Sequence, residues 1–284
     1  MSSKKRVEVL EKIPSGIEGF DEITAGGLPL RRTTLLMGGP GCGKTVFALQ
    51  ALVSGAMHYG TPGIFVAFEE NARRVAANAE TFGWNIRELE KKRIFFVDAS
   101  LRSDVVKSGA FDLTGLLASL EAKAREMGAK LIVFDAIDVL LSLLNDPAAE
   151  CRELYRLHEW LTHNEFTGIL TTKVEDNKPA TAQRYGFMPF MADCAVLLSQ
   201  HVVDRVTVRA MRVLKYRGSP HVLNEVPFVI GPTGVEVGSA NGVHPEPQPF
   251  LERHKDARRA VVHRAADQRL ERENRLAATR ATHD

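Results

Sequence analysis

Eight residues constrain this chain more than any others: Gly38-Gly39-Pro40-Gly41-Cys42-Gly43-Lys44-Thr45 fits the pattern G-x-x-x-x-G-K-[ST]. The run stands between an apolar, strand-like stretch at 33–37 and a helical stretch at 46–57 with apolar periodicity, which is the context the pattern requires. Glycines there let successive backbone N–H groups turn inward around a phosphate, and the dipole of the following helix adds partial positive charge. Lys44 is placed to reach the β and γ oxygens of a nucleotide and Thr45 to offer its hydroxyl to Mg²⁺. Cys42, inside the loop, reads either as a small filler or as an oxidation-sensitive thiol.

Such a loop needs an acidic residue elsewhere to hold the water shell of Mg²⁺. The run Leu131-Ile132-Val133-Phe134 delivers Asp135 at the end of a predicted buried strand, with Asp138 as competitor. Hydrolysis would also need a group that orients or deprotonates water, and Glu69-Glu70 follow the predicted strand 63–68. The same pair would equally favour the N-terminus of a helix opening at Asn71.

Short β-rich runs at 33–37, 63–68, 93–97, 130–135 and 168–172 alternate with helical patterns. That alternation predicts an α/β fold: a mainly parallel twisted sheet with helices on both faces. Asn71, Asp112 and Asp146-Pro147 open helices, the second running over 113–127 before Gly128. After Asp193 the pattern changes to strands at 195–199, 205–214, 226–230 and 235–237, the last two joined by Gly231-Pro232-Thr233-Gly234, so antiparallel strands should end the fold. The expected division is an extension at 1–12, a folded domain at 13–240 and a tail at 241–284 with Pro245, Pro247 and Pro249.

Charge narrows the partners. Residues 251–284 hold nine basic and six acidic side chains; of the 37 and 35 in the whole chain, 28 and 29 remain for residues 1–250. A near-neutral body argues against a face built for DNA phosphates. No run offers the roughly 20 apolar residues of a membrane span, Met1 to Lys12 lacks the apolar region of a secretory signal, and three cysteines without metal-ligand spacing suit a reducing compartment. A cytoplasmic protein is expected.

Taken together, these residues resemble the KaiC family of circadian-clock ATPases, a branch of the RecA-like P-loop NTPases. The likeness spans about residues 13–237 and includes Gly19-Phe20-Asp21, Gly26-Gly27-Leu28-Pro29, Phe68-Glu69-Glu70, Phe82-Gly83-Trp84 and Arg184-Tyr185-Gly186. It also includes Lys215-Tyr216-Arg217-Gly218-Ser219-Pro220-His221, similar to the family's K-x-R-G-x-x-H signature. The resemblance implies a hexameric ring that binds and hydrolyses Mg-ATP between subunits, with a regulatory role toward a protein partner. It implies nucleotide contacts from the whole loop through Val46 and from Thr81 and Phe82, and catalytic roles for Glu69 and Glu70. Lys215, Tyr216, Arg217, Ser219 and His221 would reach the adjacent subunit's ATP, where a cation offsets charge developing on the γ-phosphate.

Several positions depart from the family's pattern. Pro189-Phe190 stands where the phosphorylating domain of clock proteins has a Ser-Thr pair, so this chain resembles the first, hydrolysing domain and is expected to lack autokinase activity. Two nucleotide-adjacent positions fall on Gly231 and Pro232, which offer no polar side chain, and Arg31 replaces a usual glycine. A DNA-dependent recombinase-type ATPase and a nucleotide-switched scaffold without hydrolysis are the alternative functions.

Overall fold

The computed structural model describes residues 10–100, 113–144, 146–174, 186–203 and 206–238. Asp112, Arg184, Tyr185, Arg205 and the tail from residue 241 lie outside them. In chain order the strands are β1 (Lys12–Ile13), β2 (Leu28–Pro29), β3 (Thr33–Gly38), β4 (Gly63–Ala67), β5 (Ile94–Asp98), β6 (Leu131–Asp135), β7 (Thr167–Lys173), β8 (Cys194–Val203), β9 (Val206–Tyr216), β10 (Val226–Gly231) and β11 (Gly234–Val237). The helices are α1 (Phe20–Ile23), α2 (Lys44–His58), α3 (Ala72–Glu80), α4 (Ile86–Glu90), α5 (Leu113–Met127), α6 (Ile137–Ser142), α7 (Pro147–His163) and α8 (Met188–Met191).

Nine strands form one sheet in the order β11-β10-β9-β8-β3-β7-β6-β4-β5. From β8 to β5 all neighbours are parallel, and β9, β10 and β11 join antiparallel. The central strands are apolar on both faces because helices cover both. Leu36, Phe65, Val133 and Ile169 pack beneath α2, α3 and α4, whereas Leu35, Ile64, Ile132 and Leu170 pack beneath α5, α6 and α7. Alternation along each strand thus feeds two cores rather than one core and solvent.

The predicted caps at Asn71 and Asp146 are formed: Asn71 accepts from Arg73 N at 3.0 Å and Asp146 from Ala148 N at 3.0 Å. Three features go beyond the sequence reading. The boundary expected after Lys12 cuts through β1, which pairs with β2, and the Lys12 ammonium donates to the carbonyls of Thr24 and Ala25 and to Ser219 Oγ. The helical stretch after Asn71 breaks into α3 and α4 at Gly83 and Asn85, both at positive φ. The apolar run 131–144 changes from strand to helix at Ala136, whose φ is 61° and whose N–H is held by Thr171 Oγ1 at 2.7 Å. Among the described residues no helix is long and apolar enough to cross a membrane.

Candidate nucleotide site

In an open parallel sheet, the crevice beyond the carboxyl ends of the strands is the natural ligand site. Here β3 ends at Gly38, β4 at Ala67, β6 at Asp135 and β7 at Lys173, and register holds these ends level: Gly38 pairs with Lys173 and Ala67 with Asp135. The glycine loop leaves β3 at this edge and enters α2 at Lys44. Gly43 takes φ 101°, a left-handed conformation that favours glycine, and a Cβ there would also push on the tip of Ile230, 2.7 Å away.

Lys44 Nζ donates to the carbonyls of Gly38 at 2.8 Å and Gly39 at 2.9 Å, so its ammonium sits within the loop. Burial pushes its pKa down, while Cys42, Asp138 and Asp135 nearby oppose that shift. Cys42 itself is buried.

Thr45 and Asp135, the two candidate metal contacts, are adjacent: Thr45 Oγ1 lies 3.0 Å from Asp135 Oδ2 and 3.3 Å from Oδ1. Thr171 Oγ1 donates to the same carboxylate at 2.7 Å. Burial raises the pKa of Asp135, and the two hydroxyl donors only partly offset it. Asp138 accepts instead from Lys173 N at 3.1 Å, which gives it a backbone-fixing role beside the site. A hydroxyl and a carboxylate side by side suit a hard cation that takes one or two protein oxygens and fills its shell with phosphate and water. Among the described residues there is no group of three His, Cys, Asp or Glu able to hold a metal by itself.

Glu69 and Glu70 follow β4 but diverge. Glu69 pairs with Lys173 at the loop's edge and lies close enough to Asp135 and Asp138 to raise both their pKa values. Glu70 turns the other way and accepts from Asn78 Nδ2 on α3 at 3.3 Å. Lys173 and Thr171 were not identified from the sequence. The Thr-Thr-Lys end of an apolar strand is the only signal that could have found them.

Phe82 stacks on Trp84 with ring centroids 4.7 Å apart, and the Trp84 indole donates to Thr233 O at 3.0 Å, which places the Gly231–Gly234 turn beside these rings. Thr81, next to them, is exposed and caps α3 through Asn78 O.

The signature residues lie elsewhere. Leu198 stands level with Gly38 and pairs with Met211, so Lys215 and Arg217 lie four and six residues farther along the chain, toward the opposite edge of the sheet. The register shift sets Lys215 opposite Ala195 and Tyr216 opposite Cys194, so at about 3.3 Å per residue the displacement from Leu198 is roughly 10 to 17 Å, beyond the reach of either side chain to its own loop. Lys215 Nζ donates to the carbonyls of Pro189, Phe190 and Ala192, and Arg217 Nη2 donates to Phe190 O at 2.6 Å. Phe190 projects from this cluster 75% exposed. Tyr216 points inward, 5% exposed, with its hydroxyl on Gly27 O at 2.8 Å, so its phenol does not face a neighbour. Ser219 accepts from Lys12, and His221 Nδ1 lies 3.3 Å from Ser219 O.

With this geometry in view, the comparisons are specific. The family model for the KaiC ATPase matches residues 13–242. A circadian clock protein KaiC2 from Synechocystis sp. is 40% identical over 230 residues, covering 80% of this chain and 40% of that protein. A circadian clock oscillator protein KaiC from Parasynechococcus marenigrum is 37% identical over 230 residues, 80% of this chain and 45% of that one. The chain thus spans less than half the length of these curated relatives. The crystal structure of a KaiC-like protein from Pyrococcus horikoshii is 33% identical, with a TM-score of 0.71 over 81% of this chain and 99% of that one. With that likeness, the nine-stranded, mainly parallel sheet is a RecA-like fold.

Proposed function

Because the chain belongs to the KaiC ATPase family, we propose that it binds Mg-ATP at the glycine loop and hydrolyses it between subunits of a homo-oligomeric ring, a hexamer by family likeness. The observation that carries this reading is the convergence of Lys44, Thr45, Asp135, Lys173 and Glu69 on one edge of the sheet. Lys44 binds the β and γ oxygens in exchange for its loop carbonyls. Thr45 and Asp135 would hold Mg²⁺, which when bound neutralises phosphate charge. Glu69, oriented by Lys173, is the base that positions the attacking water, and Glu70 anchors the strand end to α3.

The interfacial part is supported by Lys215 and Arg217, which are too far from their own loop and rigidly held at the opposite edge. In a ring, that edge meets the next subunit's loop. Pro189-Phe190 offers no hydroxyl acceptor, so this reading includes no autokinase step. The proposed ATPase domain is 13–240, with the β1 pairing extending it to Lys12, and its role is regulatory toward a protein partner in the cytoplasm. Light scattering with and without Mg-ATP, alongside phosphate release, tests the whole. A nucleotide-dependent ring with slow turnover is expected, whereas a monomer that hydrolyses ATP only with single-stranded DNA would overturn it in favour of a recombinase-like motor.

A further inference from the structure

The carbonyls of the glycine loop are gripped from two sides. On the inner side Lys44 takes Gly38 O and Gly39 O. On the outer side two side chains of the β8–β9 hairpin take the next two: Gln200 Nε2 donates to Pro40 O at 3.2 Å, and Arg209 Nη2 approaches Gly41 O at 3.5 Å. Because Pro40 O can only accept, the Gln200 contact must be made by its NH₂ group. The Arg209 contact is longer, and Arg209 Nε is buried without a hydrogen-bond partner among the described residues.

Register explains how the two reach the loop. Gln200 pairs directly with Arg209, and Arg209 with Phe228. Directly opposed residues share a face of an antiparallel sheet. That face is the one under α2, because Phe228 lies 3.8 Å from where a Gly43 Cβ would stand.

A peptide unit is planar, with C=O and N–H pointing in opposite directions. Holding Pro40 O and Gly41 O outward therefore turns the N–H groups of Gly41 and Cys42 toward the inside of the loop. Cys42 N–H there meets Gly39 O at 3.4 Å. These are N–H groups that a phosphate cradle requires.

We infer that Gln200 and Arg209 are positioning residues for the nucleotide, which fix two loop peptides with their N–H groups inward and so preorganise the β-phosphate cradle. The inference rests on the nucleotide-binding reading above. It goes beyond that reading in giving the antiparallel hairpin of the same subunit a part in phosphate binding. Because they act on the loop and not on the γ-phosphate, their loss should weaken ADP and ATP alike.

Calorimetric titration of Mg-ADP and Mg-ATP into the full chain tests this on wild type, Gln200→Ala, Gln200→Glu, Arg209→Ala and Arg209→Lys, with the nucleotide-free Tm of each measured alongside. Gln200→Ala should weaken both nucleotides by the same factor, about 5- to 10-fold, the scale of one lost hydrogen bond. Gln200→Glu, which sets a carboxylate against a carbonyl, should weaken them at least as much. Arg209→Lys keeps a donor and should bind more tightly than Arg209→Ala. The Tm of the Gln200 variants, altered at an exposed side chain, should stay at the wild-type value. Unchanged affinities in both Gln200 variants would overturn the inference, as would a loss confined to ATP or one matched by a fall in nucleotide-free Tm. Should Arg209→Ala fail to fold, the Gln200 pair decides alone. A wild-type chain that binds neither nucleotide would instead defeat the nucleotide reading itself, an outcome distinct from all of these.

Discussion

Lys44 and Lys173 stand at the carboxyl edge of the sheet among Asp135, Asp138 and Glu69, whereas Lys215 and Arg217 stand at the other edge and donate mainly to backbone carbonyls. Asp193 lies 3.9 Å from Arg217 but is shared with Arg32 at 3.2 Å. The first set is balanced by carboxylates of its own chain and surrounds its own loop. The second is held by neutral dipoles, which fix a cation in place without cancelling its charge. One edge therefore gathers cations and carboxylates around the glycine loop, and the other holds half-exposed cations with little carboxylate beside them, which is the contrast the proposed interfacial mechanism needs.

The largest effect is expected at the first edge. Lys44→Ala removes the ammonium held on the loop carbonyls of Gly38 and Gly39 and should lower ATP affinity by roughly 10²-fold or more, the scale of a truncated charged hydrogen-bond pair; unchanged binding by calorimetry would break the assignment. Next, Glu69→Gln should retain binding while lowering phosphate release by about 10²-fold, and Glu70→Gln should do much less because its carboxylate faces Asn78. Equal losses in the two would mean that both carboxylates serve the reaction alike.

At the second edge, Arg217→Ala should reduce turnover by roughly 10-fold without loss of ATP binding, since Lys215 keeps one cation beside it. Mixing sharpens the comparison. A Glu69→Gln subunit keeps its Arg217 and an Arg217→Ala subunit keeps its Glu69, so mixed assemblies contain some intact pairs. Turnover in the mixture should exceed the mean of the two variants, and its absence, once subunit exchange is confirmed, would place Arg217 outside the reaction.

The smallest effect concerns stability. The native pKa of Asp135 is raised by burial, so protonation favours the folded state, and stability contributed at low pH is lost as pH rises through the raised value. Asp135→Asn should remove that pH dependence in the window above the ordinary aspartate range. At neutral pH it should raise the metal-free Tm by a few degrees, about 2 to 4 °C per kcal/mol in a domain of this size. A lower Tm would mean that Thr45 and Thr171 do more than offset the buried charge.

What the sequence made legible was local. The glycine loop, the caps at Asn71 and Asp146, and Asp135 at a strand end each follow from a few adjacent residues. Thr171 and Lys173 escaped notice because they meet Asp135 and Glu69 only through the alignment of β7 with β6 and β3. Gln200 and Arg209 were hidden for a related reason: they reach the loop only because β8 lies beside β3, with Leu198 level with Gly38, and β9 sets Arg209 opposite Gln200. The turn into α6 was invisible because Ala136 takes a left-handed conformation where no glycine marks it. The direction of Tyr216 is a matter of packing, which a signature shared by position does not record.

The stacked pair at Phe82 and Trp84 has an optical consequence. The chain holds two tryptophans. Trp84 touches the Gly231–Gly234 turn beside the candidate site, whereas Trp160 packs against Phe134 and Phe166 on the opposite face of the sheet. Indole fluorescence is sensitive to a ring stacked on it and to the partner of its N–H, so the molecule contains a reporter at the Gly231–Gly234 turn and an internal reference away from it. With Trp160 replaced by Phe, the remaining emission would follow events at that turn alone, without a label attached to the protein or the nucleotide.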